Sequence, residues 1–398
     1  MPTNKEDLIL THLVELLELP DSAYEKAKDR YEDLGEWLGR DASLVTNNDV
    51  HVFPQGSFRL GTAIKPLSDN EQYDLDLACN LRKGIAASTH TQEYLKTLIG
   101  CELEGYRNAR HIQAPLEPKH RCWRLEYADG LRFHMDIVPC IPETSTQITA
   151  IFDSIRNFGM DKDLAEKVAA FAVGITDDRR EDFKRISLDW LISNPEGYAK
   201  WFASRMRVSK DGRIVFDKAQ VDDLPLYKRK KPLQRVIQLL KRHRDKMFER
   251  NSDSKPISVI ITTIAGHACT GSESIKQTMT EALQSLNAFA NSGKTELLNP
   301  VNPVENFADR WTMPECAELR LKENFALWVK EATRDFRFLA TNTDPDQLVE
   351  MAKLRLSVTP SKDALSKVLG INTVASFPYV STPRNVPQPK AKPWLDEE

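Results

Sequence analysis

Two aspartates that stand two residues apart carry the clearest chemical signal in the sequence. Asp74 and Asp76 lie in the segment YDLDL, whose alternation of polar and apolar residues is typical of a half-buried strand. Residues i and i+2 of a strand point to the same face, with Cα atoms about 6.5 Å apart. Two carboxylates placed in this way repel each other, and Mg²⁺ prefers such hard oxygen ligands. The segment therefore predicts a metal site.

A third carboxylate, Asp136, lies in a later segment in which polar and apolar residues also alternate. In residues 131–138 the odd-numbered positions are apolar up to 137, whereas Arg132, His134 and Asp136 share the other face. If this strand pairs beside the first, three carboxylates converge, and they can hold two metal ions about 3.5–4 Å apart for phosphoryl or nucleotidyl transfer. Arg132 and His134 either contact substrate or neutralise the acids, and the sequence leaves both roles open.

A glycine-serine turn upstream of the aspartates predicts a place for phosphates. Gly56-Ser57 follows a short predicted strand and precedes a predicted helical turn at Phe58–Ala63. Glycine lets the backbone approach a ligand closely, and a hydroxyl group together with backbone amides at a helix start can bind a triphosphate.

The elements that must position these residues divide the chain into two parts. Residues up to about 150 predict two N-terminal helices, then strands at Val50–Phe53 and Tyr73–Cys79, and a β-hairpin at 121–139 with an Asp-Gly turn. From about residue 160 onward helices dominate. The segment Pro256–Cys269 is ambiguous, because its β-branched residues favour a strand but its length favours a buried helix.

Composition narrows the class of protein. The 398 residues carry 55 Lys+Arg against 58 Asp+Glu, a net charge of −3, which excludes a strongly basic chain that coats nucleic acid. No segment has the run of about 20 apolar residues that a membrane helix needs, and the N-terminus lacks the pattern of a signal peptide. The six cysteines form no CxxC pair. We therefore expect free thiols, a cytoplasmic location, no membrane and no long nucleic acid as substrate.

These motifs, in this order, resemble the nucleotidyltransferases of the DNA polymerase β superfamily. More narrowly, the chain resembles the bacterial cyclic GMP-AMP synthase/DncV-like enzymes, the cyclic-oligonucleotide synthases of anti-phage signalling. The matching segments are PQGSFRLGTAIKP, YDLDLAC and FHMDIVP, followed by LQRVIQLLKRHRD and KPISVIITTIAG. The resemblance spans roughly residues 20–340. It implies an α+β, two-lobed fold with a mixed-sheet catalytic lobe and a helical lobe, and it implies that Pro256–Cys269 is helical.

The resemblance also implies roles for individual residues. Two Mg²⁺ or Mn²⁺ ions are expected on three aspartates, with Asp136 placed to assist deprotonation of the attacking hydroxyl. Ser57 is the expected phosphate contact, supported by neighbouring turn residues, and a lysine and a serine of the helical lobe are expected to hold the triphosphate, with Lys246 or Arg244 as substitutes for the lysine. The predicted metal ligands and catalytic residues are Asp74, Asp76 and Asp136, and the predicted nucleotide-binding residues are Gln55, Gly56, Ser57, Lys241 and Ser258.

The function implied is synthesis of a cyclic di- or trinucleotide second messenger from nucleoside triphosphates, ATP foremost and GTP also considered. Two alternatives stay open: a template-independent enzyme that makes linear oligoadenylate or extends an RNA end, and a catalytically silent nucleotide sensor. We expect a catalytic lobe with the N-terminal helices at 1–155, a helical lobe at 156–375 and a flexible tail at 376–398. The resemblance suggests that a regulatory protein binds this tail.

Overall fold

A computed structural model describes residues 4–68, 71–127, 132–206 and 230–371. The helices are α1 Lys5–Glu15, α2 Asp21–Gly39, α3 Gly56–Leu60, α4 Gln92–Ala109, α5 Ser145–Asn157, α6 Lys162–Ala169, α7 Pro195–Arg205, α8 Pro232–Met247, α9 Ser258–Ala268, α10 Ile275–Asn291, α11 Leu321–Thr341, α12 Pro345–Leu356 and α13 Lys362–Leu369. The strands are β1 Val50–Pro54, β2 Tyr73–Leu81, β3 Glu117–Pro118, β4 Trp123–Tyr127, β5 Phe133–Pro142, β6 Val173–Ile175, β7 Leu191–Ser193, β8 Leu298–Asn299 and β9 Asn302–Asn306.

A mixed seven-stranded sheet forms the first lobe. Its main path runs β1-β2-β5-β4-β3, and β6 and β7 extend it from the end of β5. Strands β2 and β5 are parallel, whereas the other pairs in this sheet are antiparallel. The alternating burial along β5 follows the predicted apolar and polar faces. Both strands of the predicted hairpin are confirmed as β4 and β5, while its turn at 128–130 lies outside the described residues.

The second lobe is helical. The segment that was ambiguous by pattern is helix α9, as the resemblance implied. Its β-branched residues tolerate this conformation because tertiary packing overrides weak propensity: Ile260, Ile261, Thr263 and Ile264 are all buried. The mixed sheet plus helical lobe confirms the predicted fold class.

The N-terminal helix α1 lies in the helical lobe rather than beside the sheet. Its buried residues pack with those of α8–α13 in one core, and Leu17 belongs to that core too. Leu19, two residues later, belongs to the core of the sheet lobe, together with the buried residues of α2 and α4. The chain therefore changes lobe around Glu18. This differs from the predicted division at 155, which placed both N-terminal helices in the catalytic lobe, because periodicity shows that a helix has an apolar face but not which partner covers it.

Helix α8 fixes the segment that follows the glycine-serine turn. Side chains of α8 donate hydrogen bonds to backbone carbonyls of residues 60–66, and all four of these side chains are buried. The bonds run from Gln234 to the Leu60 carbonyl at 2.9 Å, from Gln238 to Ala63 at 2.7 Å, from Lys241 to Thr62 at 2.9 Å, and from Arg242 to Lys65 and Pro66. Because burying an unpaired backbone carbonyl is costly, this polar stripe joins the lobes by satisfying those carbonyls.

Three further expectations concern the whole chain. All six cysteines are free, as predicted. No described helix is both long enough and apolar enough to cross a membrane. The predicted tail at 376–398 lies outside the described residues.

Candidate active site

The parallel pairing of β2 with β5 brings the predicted aspartates together. Asp76 lies directly opposite Asp136 in the register, and Asp74 lies opposite His134. One side-chain ligand atom from each of Asp74, His134 and Asp136 lies within 4.8 Å of the other two. These three residues form a group that can hold a metal ion, and Asp76 adjoins it.

Two basic side chains, His134 and Arg124, already contact these acids. His134 places Nε2 2.9 Å from Oδ1 of Asp74, and its Nδ1 lies 3.2 Å from Oε1 of Gln72. Arg124, on β4, donates two parallel hydrogen bonds of 2.7 Å each to the two oxygens of Asp136. His134 therefore contacts one of the acids, and a contact with substrate stays a prediction. Arg124, which lies opposite Asp136 in the register of β4 and β5, was not predicted from the sequence.

The electrostatics of Asp76 fit a divalent cation. Burial raises the pKa of this carboxyl well above its usual range, and repulsion from Asp74 and Asp136 raises it further, while Lys241 and Arg124 oppose the rise. A cation with oxygen-preferring chemistry would remove the repulsion. The bidentate contact with Arg124 leaves each Asp136 oxygen a second lone pair, so that contact is compatible with metal binding.

The glycine-serine turn lies against Asp76. Gly56 has φ of +59°, and a β-carbon at this position would stand 2.1 Å from Oδ2 of Asp76. The backbone N–H of Gln55 donates to the Asp76 carbonyl at 2.8 Å, and its side-chain amide donates to the Leu77 carbonyl at 3.3 Å. Only glycine fits here, because the conformation is left-handed and the carboxylate fills the space beside it.

A cleft of about 920 Å³ opens between the lobes at this turn. It contains six of the eight residues predicted from sequence. Gln55 and Asp136 are not among its described lining residues, since the Gln55 amide is bound to β2 and Asp136 is covered by Arg124. The predicted residues that line the cleft are Gly56, Ser57, Asp74, Asp76, Lys241 and Ser258.

The helical wall of the cleft is basic. Arg244 donates a 2.7 Å hydrogen bond to Oγ of Ser258 and a 3.1 Å bond to the Pro256 carbonyl. Its Nη2 lies 2.6 Å from Oδ1 of Asp245, which also contacts Lys255 at 3.2 Å. All of these except Pro256 line the cleft. Lys246, one of the substitutes considered for Lys241, instead pairs with Glu249 at 2.7 Å.

Lys241 faces the acids from this wall. Burial lowers the pKa of Lys241 to about 8, and the nearby Arg244 guanidinium lowers it too, while Asp245, Asp74 and Asp76 oppose this. A buried ammonium with a depressed pKa, across a cleft from carboxylates, is typical of a site that binds an anionic ligand.

Comparison with known proteins agrees with this geometry. The family model for the nucleotidyltransferase domain of cyclic GMP-AMP synthase DncV-like proteins matches residues 50–139. A c-di-GMP synthase of Roseivirga ehrenbergii is 30% identical over 318 residues, which are 78% of this chain and 73% of that protein. The cyclic dinucleotide synthase CdnG of Bradyrhizobium diazoefficiens is 24% identical over 325 residues, 77% of this chain and 70% of that protein.

Solved structures show the same fold. The complex of Bradyrhizobium diazoefficiens CdnG with GTP superposes with a TM-score of 0.64 at 19% identity, over 92% of this chain and 99% of that one. Escherichia coli MS115-1 CdnC with ATP gives a TM-score of 0.56 at 15% identity, over 89% and 98%. The sequence matches show the family, and the solved structures agree with it in fold. The chain therefore belongs to the DncV-like family of cyclic-dinucleotide synthases, which are nucleotidyltransferases.

Proposed function

We propose that this chain joins two nucleoside triphosphates into a cyclic dinucleotide and releases two molecules of pyrophosphate. In each step a ribose hydroxyl oxygen forms a bond to an α-phosphorus, the bond from that phosphorus to pyrophosphate breaks, and the hydroxyl proton passes to a carboxylate. The observation that carries the proposal is the register of β2 and β5, which aligns Asp76 with Asp136 beside a cleft whose opposite wall holds Lys241 and Arg244.

We assign the metal site to Asp74, Asp76 and Asp136, with two Mg²⁺ or Mn²⁺ ions. When bound, such ions stabilise the charge that develops on the transferring and leaving phosphate oxygens. Arg124 keeps the Asp136 carboxylate in a fixed orientation through its two hydrogen bonds. We assign Asp136 the role that the family resemblance implies, which is to assist deprotonation of the attacking hydroxyl. His134 holds Asp74 in the same way through one contact.

The triphosphate contacts come from the turn and from the helical wall. The Lys241 ammonium supplies a positive charge, and Arg244 orients Ser258 by donating to its Oγ. That bond leaves the Ser258 hydroxyl proton free to be donated to a phosphate oxygen. Ser57 supplies a second hydroxyl from the opposite side of the cleft. Gln55 holds the turn against β2, and we assign it a structural role rather than a phosphate contact.

The substrates that we propose include GTP for at least one of the two positions. One relative is named a c-di-GMP synthase, and the CdnG structure contains GTP. ATP, the substrate favoured by the sequence, is the candidate for the other position and is present in the CdnC structure. The proposed biological role is production of a second messenger in anti-phage defence in the cytoplasm, with regulation by a protein bound at residues 376–398.

The test is incubation with all four ribonucleoside triphosphates and Mg²⁺ or Mn²⁺, followed by mass spectrometry of the products. We expect a cyclic dinucleotide from the wild type, and none from the variant carrying Asp74→Asn and Asp76→Asn. Asp153→Asn, which changes an exposed aspartate on α5, is the matched control and should retain full activity. Linear products alone would favour the polymerase alternative. No turnover with either metal would overturn the proposal in favour of the silent sensor.

A further inference from the structure

A glutamate that belongs neither to α8 nor to α9 lines the cleft. Glu305, on β9, lines the same cleft as Asp74 and Lys241 and is half-buried. It does not belong to the acidic group that can hold a metal among the described residues. A carboxylate repels phosphates, so this part of the cleft is unsuited to the triphosphate and is left for the rest of the nucleotide.

The carboxylate of Glu305 is held in one orientation. The side-chain amide of Asn299 donates to Oε2 of Glu305 at 2.7 Å, and its own Oδ1 accepts a bond from the Val301 backbone N–H at 3.0 Å. Because the Asn299 oxygen is engaged by that N–H, its amino group must face the glutamate. Asn299 is 4% exposed, so this contact is shielded from water.

The strand that carries Glu305 is anchored to β7 and to the residue that caps α7. Asn302 donates to the Ile192 carbonyl at 3.1 Å, and Asn194 donates to the Val301 carbonyl at 3.3 Å. Preorganised polar groups discriminate between ligands better than mobile ones, because their own reorientation is not needed when the ligand binds.

The second oxygen of Glu305 is available to a ligand. Within the described residues the structure gives Oε1 no hydrogen-bond partner, and Asn299 supplies the bond to Oε2. Burial raises the pKa of Glu305 and the Asp309 charge adds to the rise, while the bond from Asn299 and the Arg121 charge oppose it only in part. Among the described residues, the hydrogen bond that the structure gives this carboxylate is the one from Asn299. Phe307, two residues further on, also lines the cleft and offers an aromatic surface to a planar ring.

We propose that Glu305 selects guanine over adenine in one of the two nucleotide positions. The inference rests on the proposed function and specifies its substrate. Guanine presents two adjacent donors, N1–H and the 2-amino group, which match the two oxygens of a carboxylate. Adenine presents an acceptor at N1 and carries no amino group at position 2, so its lone pair would face the carboxylate. Selection arises from attraction to one base and repulsion of the other.

Equilibrium binding of non-hydrolysable triphosphate analogues tests this assignment without turnover. We expect the wild type to bind the guanosine analogue more tightly than the inosine analogue, which lacks only the 2-amino group. Glu305→Gln should weaken guanosine binding about 10- to 100-fold, because a bond to a charged acceptor is lost, and it should reduce the preference for guanosine over inosine to near unity. Glu305→Gln should also bind the adenosine analogue at least as tightly as the wild type does, since the new amide can donate to adenine N1.

Glu296→Gln is the matched control, because Glu296 is an exposed glutamate close to β8. It should keep the wild-type order of affinities. If Glu305→Gln lost affinity equally for all three analogues, the residue would have a general structural role and the inference would be overturned. Unchanged selectivity for guanosine in this variant would overturn it too. A wild type that binds guanosine selectively in this assay but forms no cyclic product would contradict the proposed function alone. Cyclic product with unchanged base choice in Glu305→Gln would contradict only the assignment of Glu305.

Discussion

The α-carbon of Gly56 lies so close to Asp76 that a β-carbon on it would stand 2.1 Å from the carboxylate oxygen Oδ2. The signature turn and the first carboxylate strand are therefore one packed unit. The turn is also bonded to the strand through the Gln55 N–H and the Asp76 carbonyl. Any side chain at position 56 must displace either the turn or the carboxylate.

Gly56→Ala should lower turnover about 100-fold, the order of loss expected when a catalytic group moves by about 1 Å. The left-handed backbone adds about 1–2 kcal/mol of strain. Gly293→Ala separates the two effects, because Gly293 has φ of +74° and no heavy atom within 4 Å of the added β-carbon. That variant should lose similar stability in urea denaturation and keep its activity. Equal activity losses in both variants would show that the contact with Asp76 is unimportant.

Metal binding should stabilise the folded chain through Asp76. At roughly a hundredfold excess of free Mg²⁺ over its Kd we expect Tm to rise by about 2–6 °C, measured by differential scanning calorimetry against EDTA. Asp76→Asn should largely remove this rise, whereas Asp153→Asn should keep it. An undiminished rise in Asp76→Asn would argue that Mg²⁺ binds elsewhere.

Asp76→Asn should also change how the stability of the folded chain depends on pH when no metal is present. The pKa of Asp76 is raised, so its ionisation costs stability above the ordinary aspartate pKa and costs nothing below it. Asp76→Asn should therefore be at least as stable as the wild type at pH 7 in EDTA, and its advantage should shrink on acidification. A variant less stable than the wild type at pH 7 would contradict the electrostatic picture.

Lys241 should make nucleotide capture sensitive to pH. Its pKa is lowered to about 8, and only the ammonium form attracts a triphosphate. The free-enzyme parameter kcat/KM should therefore fall about tenfold per pH unit above about 8. Lys241→Arg keeps the charge across this range and should flatten that part of the profile, even if its absolute activity is lower. A profile with the same descending limb in Lys241→Arg would assign the titration to another group.

Arg124 should act through the orientation of Asp136. Arg124→Lys keeps the charge but loses the two parallel bonds, so we expect kcat to fall about 10- to 100-fold with little change in KM. Arg110→Lys is a matched control, because Arg110 makes a similar bidentate contact with Asp33 on α2. It should leave kcat unchanged. A rise in KM alone for Arg124→Lys would indicate substrate binding instead of positioning.

The sequence indicated which strand faces carry the acids, because strand periodicity is local. The face of Asp74 and Asp76 follows from alternation, and the Asp-Gly turn indicates that the segments of β4 and β5 pair as a hairpin, although it does not give their register. Strands β2 and β5 lie about sixty residues apart in the sequence. Their pairing was therefore an assumption on which the predicted metal site depended, and local patterns could not predict it. The resemblance to a known family supplied Lys241 and Ser258, for which local patterns give no signal.

Other features were beyond sequence reasoning for physical reasons. Glu305 lies on a strand of five residues paired with one of two, too short for any periodicity. The contacts of Gln238 and Lys241 with backbone carbonyls could not be predicted, because polar residues on a helix normally indicate a face exposed to solvent. In this structure both side chains are buried and donate to carbonyls. Propensity alone also left the conformation of α9 undecided, and only burial decides it.

The position of α1 has a consequence for how the protein is made. The ribosome synthesises α1 more than two hundred residues before Pro232, where the helices α8–α13 that cover its apolar face begin. Throughout that interval Ile9, Leu10 and Leu13 have no native partner among these helices, although residues 19–142 of the sheet lobe can already collapse. The apolar face of α1 therefore stays without its native cover until these helices have been synthesised, and during that time it can take part in aggregation.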